Sequence, residues 1–341
     1  MQATRSRSVR MRHGHYTWST ILLTVALCAI GPHSHAQTSA GGSYPNRAIR
    51  FILPFPPGGG TDIIGRLLAQ KLSEELGQPV VPDNRPGAGG NIGAEAAVKA
   101  APDGYTIVIC TITLAISPSL YKDKLGYDPV KDLTPIGLVA SNAQTLSVHP
   151  SLPARTVKEM VQLAQMHPGK ITFGTGGVGT SNDLVAQIFR NSNKVNVLIV
   201  PYKGISPATV AILSGEVDAA VIGVATAVPY VKSGKLRALA TLAPRRAPTL
   251  PAVPTAAEAG YPQLEAVLWY GMFAPAGTPQ PIVSRLSAAF AKIVAARDTR
   301  ERLAVVGADT MTSTPGELGI FLRKEIARWS EVVKESGAAA N

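Results

Sequence analysis

Short apolar runs ended by proline or glycine alternate along this chain with longer stretches in which apolar residues recur every three or four positions. Ile49 to Leu53 is the first such run, closed by Pro54, and its composition predicts a buried strand. From Asp62 to Leu76, Ile63, Ile64, Leu67, Leu68 and Leu72 fall on one helical face, and Gly77 ends the pattern. A short strand at Pro79 to Val81, a helix at Ile92 to Ala100, a Pro102-Asp103-Gly104 turn and a strand at Tyr105 to Cys110 follow. This β-α-β-α-β unit predicts a parallel sheet with helices on both faces.

A second alternating run begins near Thr145. Thr156 and Glu159 have the spacing of a capping box for a helix reaching Met166. Strands are expected at Ile171 to Phe173, Val197 to Val200, Val217 to Val221 and Arg237 to Thr241, with helices opening near Ser181 and Ser206. Ala243 to Pro262 is proline-rich and reads as a long connection with one helical piece at Thr255 to Ala259. Trp269 to Phe273 is then a strand running back, followed by helices at Pro281 to Ala296 and Pro315 to Val333.

A chain of 341 residues suits two α/β lobes, each with its own core. If the Trp269 strand rejoins the first sheet, the lobes are tied by two crossings, near Ser141 to Leu146 and near Leu268 to Ala274, which makes a hinge. The expected division is residues 37–143 and 268–341 in the first lobe and 144–267 in the second.

Residues 1–36 stand apart from this pattern. Arg5, Arg7, Arg10 and Arg12 form a basic n-region, Ile21 to Ile30 an apolar h-region, and Ser34-His35-Ala36 a cleavage site, which together read as an export signal removed after Ala36. The apolar run is far shorter than the ~20 residues that span a bilayer. Leu27 is too large to precede a lipidated cysteine at Cys28, and no twin-arginine pair is present. The protein is therefore expected in the periplasm, exported unfolded and working without a cofactor.

Loss of the signal changes the available chemistry. The mature chain keeps His149, His167 and Cys110, and both histidines precede prolines. A His/Cys metal site, an internal disulfide and histidine-dependent catalysis all lack their residues. The four signal arginines account for four of the net charge of +11, leaving +7, which suits an anionic ligand. Scattered basic residues and 6% aromatics argue against nucleic acid.

The candidate site is a pair of loops. Pro54-Phe55-Pro56-Pro57-Gly58-Gly59-Gly60-Thr61-Asp62 joins the first strand to the first helix. Its glycines let backbone approach a ligand, and the helix behind presents free N–H groups and the positive end of its dipole, a setting for a carboxylate. Gly174-Thr175-Gly176-Gly177-Val178-Gly179-Thr180-Ser181-Asn182-Asp183 repeats this logic in the second lobe. The candidate ligand-binding residues are Phe55, Pro57, Gly58, Gly59, Thr61 and Asp62 in the first loop, with Thr113 beyond the third strand. In the second lobe they are Gly176, Gly177, Gly179, Thr180, Ser181 and Asp183, with Tyr202 on the next strand end.

Gly174 to Gly179 also matches the G-x-G-x-x-G dinucleotide fingerprint, the basis of a rival NAD-dependent oxidoreductase reading. The acidic residue required about 20 positions on is replaced by Asn193, Lys194 and Asn196. No lysine follows either glycine run, so neither is a P-loop. Asn84 to Asn91, also glycine-rich, is read as structural with Asn91 capping a helix. Lys203 reads as a solvated turn residue ahead of an anion contact, and Trp269 and Tyr270 as hinge packing ahead of cleft lining.

Taken together, the Pro54–Asp62 loop, Asn84-Arg85-Pro86-Gly87-Ala88-Gly89-Gly90, Pro102-Asp103-Gly104-Tyr105, Val200-Pro201-Tyr202-Lys203-Gly204, Gly234 to Ala240, and Pro254-Thr255 with Glu258-Ala259-Gly260 make the chain resemble the Bug family. Members of that family are solute-binding receptors of tripartite tricarboxylate transporters. The resemblance implies a type II periplasmic-binding-protein fold, a monomer that closes on its ligand, and delivery to a permease of one large and one small membrane subunit. A ligand-sensing receptor that feeds a signalling partner shares this architecture. The sequence departs from many relatives in having Asp183 where they carry His, and Ile222-Gly223 in place of a polar pair. The ligand expected is thus a carboxylate without an α-amino group and with an apolar or aromatic body.

Overall fold

The computed structural model describes residues 44–338, so the expected export signal lies outside the described residues. The first pass of the chain forms β1 (Ile49–Leu53), α1 (Gly60–Leu76), β2 (Val80–Asn84), α2 (Asn91–Val98), β3 (Thr106–Thr111), α3 (Thr113–Tyr121) and β4 (Leu133–Asn142). In β1, Ile49, Phe51, Ile52 and Leu53 are all fully buried, as a strand covered on both faces must be. The strand β2 runs three residues beyond its expected end, through Pro82. It can do so because β2 is the edge of its sheet, where a missing N–H costs no ladder bond.

One residue, Ala143, separates β4 from β5 (Gln144–Val148). The chain then forms α4 (Val157–Met166), β6 (Thr172–Thr175), α5 (Ser181–Ser192), β7 (Leu198–Pro201), α6 (Ile205–Ser214), β8 (Ala219–Gly223), α7 (Val224–Lys232) and β9 (Arg237–Thr241). It returns through β10 (Leu268–Pro275), α8 (Gln280–Ala295), α9 (Arg297–Val305), β11 (Ala308–Thr310) and α10 (Pro315–Ser336). The helices α3, α7 and α9 and the strand β11 carry no clear pattern in the sequence. For α3 the reason is burial: Thr113 to Ser117 are buried without a break, so no polar stripe marks the helix.

Two sheets result, with orders β11-β4-β10-β3-β1-β2 and β7-β6-β8-β5-β9. Within them, β2, β1 and β3 are parallel, as are β7, β6 and β8. The parallel sheet expected from the first β-α-β-α-β unit is present, while the edge strand β11 runs antiparallel to β4 and one inner strand of each sheet is reversed. β10 lies antiparallel between β3 and β4, and β5 lies antiparallel between β8 and β9. Each has just arrived from the other sheet, entering from the side at which the parallel strands end.

The connection before β10 also differs from expectation. Thr255 and Glu258 exchange hydrogen bonds, Glu258 N–H to Thr255 Oγ1 at 3.0 Å and Thr255 N–H to the Glu258 carboxylate at 2.8 Å, but the segment is a turn and not a helix. Gly260, with φ +89°, and Pro262 stop it at once. Thr156 caps α4 by accepting from Glu159 N–H, while the Glu159 carboxylate accepts from Arg155 N–H instead of closing the box on Thr156.

Along β10 the side chains alternate. Trp269 faces α10 and meets Phe321 edge-on, with ring centroids 5.5 Å apart, while Tyr270 faces the opposite side. The indole N–H groups of Trp269 and Trp329 both donate to Glu325, at 3.0 and 3.3 Å. Among the described residues no helix is long and apolar enough to cross a membrane. Replacing Glu325 with Leu strands two buried donors, and a loss of about 2–4 kcal/mol is expected in urea unfolding. Glu325→Gln, which keeps an acceptor, should cost less.

Candidate functional site

The strand ends that point between the two sheets border a cleft of about 530 Å³. Five helices begin on it. Gly60 and Thr61 open α1, Thr113 opens α3, Ser181 and Asn182 open α5, Ile205 opens α6, and Gly223 caps the start of α7. The first turn of a helix has N–H groups with no partner inside it and carries about half a positive charge, so the five starts make the cleft electropositive without formal charges. Among the described residues, Lys203 is the one formally charged side chain in the lining.

The two loops are built alike. Gly58, at φ +82°, donates its N–H to Asp62 Oδ2 at 3.0 Å, and Gly179, at φ +79°, donates to Asp183 Oδ2 at 3.1 Å. In both, an aspartate in the first helical turn reaches back four residues and pins the loop. The positive φ at these two positions is the conformation that glycine adopts without strain. At Gly179 a side chain would also overlap the Tyr121 hydroxyl.

The fourth residue after each aspartate differs, and this separates their electrostatics. Burial pushes the Asp62 carboxyl up, but hydrogen bonds from Arg66, Asn84 and Gly58 outweigh it and hold the group below the usual carboxylate range. Arg66 Nε sits 2.9 Å from Asp62 Oδ1. At the matching position Asp183 has Gln187, whose amide donates at 2.8 Å but brings no charge. Burial therefore dominates and raises the Asp183 carboxyl, against smaller opposing effects of Gly179, Gln187 and Arg190.

Of the sequence-derived candidates, Phe55, Pro57, Gly58, Gly59, Thr61, Thr113, Gly176, Thr180 and Ser181 line the cleft. Asp62, Gly177, Gly179 and Asp183 lie behind it. Tyr202 is turned away, its hydroxyl 2.6 Å from Glu216, an acceptor that pushes the phenol up to about 12. The neighbouring Lys203 lines the cleft instead. Thr180 is committed within its loop, donating to Gly177 O at 2.7 Å and accepting from Asp183 N–H as the cap of α5. Asn91 caps nothing: Gly90 holds the cap position, and the Asn91 oxygen accepts from Tyr127.

Sequence reasoning overlooked Thr111, Asn142 and Gln144, and read Tyr270 as packing. Tyr270 is buried, its hydroxyl is hydrogen-bonded to Thr61, and burial raises its phenol. Thr111 and Thr113 bond to each other at 3.0 Å. Apolar lining comes from Ile205, Pro207, Val210, Leu213 and Ile222 of the second lobe and from Val305 of the first. Across the cleft the backbones meet: a side chain on Gly89 would overlap the carbonyl of Gly179, and one on Gly307 would overlap Ala225. Among the described residues, no three His, Cys, Asp or Glu side chains gather as a metal site.

Two sheets of matching strand order, joined by two crossings and with helix starts aimed into the gap between them, define a two-lobed binding protein of the periplasmic type. The chain belongs to the tripartite tricarboxylate transporter receptor family, whose description, "Tripartite tricarboxylate transporter family receptor", it matches over residues 64–338. BugT of Bordetella pertussis is 36% identical over 321 residues, covering 94% of this chain and 98% of BugT. Among solved structures, Rpa4515 of Rhodopseudomonas palustris with adipate is 34% identical with a TM-score of 0.80, covering 87% of this chain and 99% of that one. MatC of Rhodopseudomonas palustris with bound malate is 33% identical with a TM-score of 0.79, covering 85% and 100%.

The aspartate pair generates a pH prediction. A carboxyl lowered in the fold contributes stability that is present above its unfolded value, near 4, and is lost as pH falls through its folded value. Asp62→Asn should therefore lower the melting temperature at pH 7, by an amount that shrinks below about pH 4. A raised carboxyl has the opposite sign, its contribution being fully present at low pH and lost as pH rises through the folded value. Asp183→Asn keeps an acceptor for Gly179 and should leave the melting temperature at pH 7 unchanged or higher. The closing contact gives a second prediction. Gly89→Val should hold the lobes apart, seen as a larger radius of gyration in X-ray scattering than wild type shows.

Proposed function

We propose that the protein is a monomeric periplasmic receptor that captures a small carboxylate in this cleft and delivers it to a membrane permease of one large and one small subunit. The observation that carries this reading is the convergence of five helix starts on a cleft lined by no carboxylate. In such a site a ligand carboxylate replaces its water shell with fixed N–H dipoles. The adipate and malate held by the two Rhodopseudomonas palustris proteins are dicarboxylates, which supports the same ligand class here.

Among the described residues, the lobes move as 44–143 with 268–338 against 144–267, bending at Ala143 and at the chain before Leu268. Tyr270 is the side-chain donor on the first lobe, with Thr61 donating to its oxygen and so turning the phenol proton toward the ligand, and the backbone of Gly59, Gly60 and Ser181 supplies the rest. The ligand carries no α-ammonium group, because none of the lining residues offers it a counter-charge and Lys203 repels it. Its body is apolar and lies against the Val210 and Ile222 wall.

A thermal-shift panel tests this reading. Adipate, succinate and 3-phenylpropionate are expected to include stabilising ligands, and aspartate and glutamate to give no shift. Stabilisation by the amino acids alone overturns the ligand class, and failure of every carboxylate overturns the function. For a carboxylate that binds, Thr61→Val and Tyr270→Phe should each weaken calorimetric affinity by about tenfold. Thr180→Ala should instead cost about 1 kcal/mol of stability as a lost helix cap.

A further inference from the structure

Two side chains on the first crossing are left chemically incomplete. Asn142 ends β4, Gln144 begins β5, and both line the cleft at 7% and 5% exposure. The Asn142 Oδ1 and Gln144 Oε1 atoms are buried and accept no hydrogen bond. A buried carbonyl-type oxygen without a donor is destabilising, and two flanking one hinge residue mark a place where a donor is missing.

The orientation of Asn142 follows from its surroundings. Its Nδ2 faces the Val306 carbonyl at 3.5 Å, so exchanging the amide ends would set two oxygens against each other. The amide lies over Gly223, where a Cβ would stand 3.3 Å from its oxygen and 3.4 Å from its nitrogen. Gly223 is paired with Gln144 in the sheet and also lines the cleft. Absence of a side chain at residue 223 leaves room beside the Asn142 amide.

We propose that Asn142 and Gln144 form a hydroxyl subsite, so that the preferred ligand is a hydroxylated carboxylate. The proposal rests on the carboxylate reading of the cleft. Both oxygens are neutral acceptors, which suits a hydroxyl donor. A second carboxylate brings acceptors only and is repelled. An ammonium would have to shed its water shell with no anion in the lining to replace it. The site thus divides its chemistry: donors at the helix starts take the carboxylate, and acceptors at the hinge take the hydroxyl. Because the two amides flank Ala143, a ligand that bridges them also fixes the segment about which the lobes turn.

Calorimetry with matched pairs tests this: malate against succinate, and 3-phenyllactate against 3-phenylpropionate. In at least one pair the hydroxylated member should bind the wild-type protein about tenfold more tightly. Gln144→Met and Asn142→Leu, which approximate the shapes of the originals without polar atoms, should erase that preference and leave the affinity of the deoxy compound within about threefold. Gly223→Ser, which sets an internal hydroxyl over Asn142, should also erase the preference, and serves if either of the first two variants fails to fold. Equal affinities within both pairs overturn the hydroxyl subsite and leave the carboxylate site standing, as does a parallel loss of both members in the variants. Absence of binding by all four compounds overturns the carboxylate reading, and this subsite with it.

Discussion

A helix that begins at a cleft leaves its first N–H groups without partners, and most of this site is a response to five helices beginning in one place. Anionic side chains would cancel the field they create, and the lining has none. Cations would duplicate it, and there is one, at Lys203. The glycine loops let a ligand approach the donors, and a water-poor setting strengthens what they supply. Strand direction follows from the same constraint. Helices start on the cleft only if the strands before them end there, so the parallel strands of both sheets point inward and the strands arriving from the opposite sheet must run against them.

The alternation of strands and helices, the two loops and the return of the chain were legible because each is written locally. Gly58 to Asp62 and Gly179 to Asp183 announce a turn, a helix start and an acid in the first turn. The roles inside those loops were not legible. Asp62 and Asp183 were chemically plausible ligand contacts, yet both spend their oxygens on the N–H four residues back. Tyr202 was plausible too, until Glu216 appeared beside it in space. The overlooked residues share a different property. Asn142 and Gln144, like Tyr270, sit on strands that join the lobes, and a polar residue in such a strand acquires meaning only from neighbours far along the chain, such as Gly223 beside Gln144. A polar cluster set between two apolar stretches, Ser141-Asn142-Ala143-Gln144-Thr145, was the signal available.

The two loops also show how similar architecture diverges through one residue. With Arg66 beside it, Asp62 is a comfortable anion; with Gln187 in the equivalent place, Asp183 is a strained one. The fold asks both for the same hydrogen bond, and the chain meets that demand at two different electrostatic settings.

The near absence of formal charge in the cleft bears on how cargo leaves it. A grip made of backbone dipoles and hydroxyl groups has no histidine or carboxylate whose titration could switch it off in the neutral range, and little for salt to screen. Acidity and ionic strength are therefore poor unloading signals for this protein. If the protein carries a carboxylate as proposed, release falls to the opening of the lobes, which draws Gly89 away from Gly179 and lets water back to the helix ends.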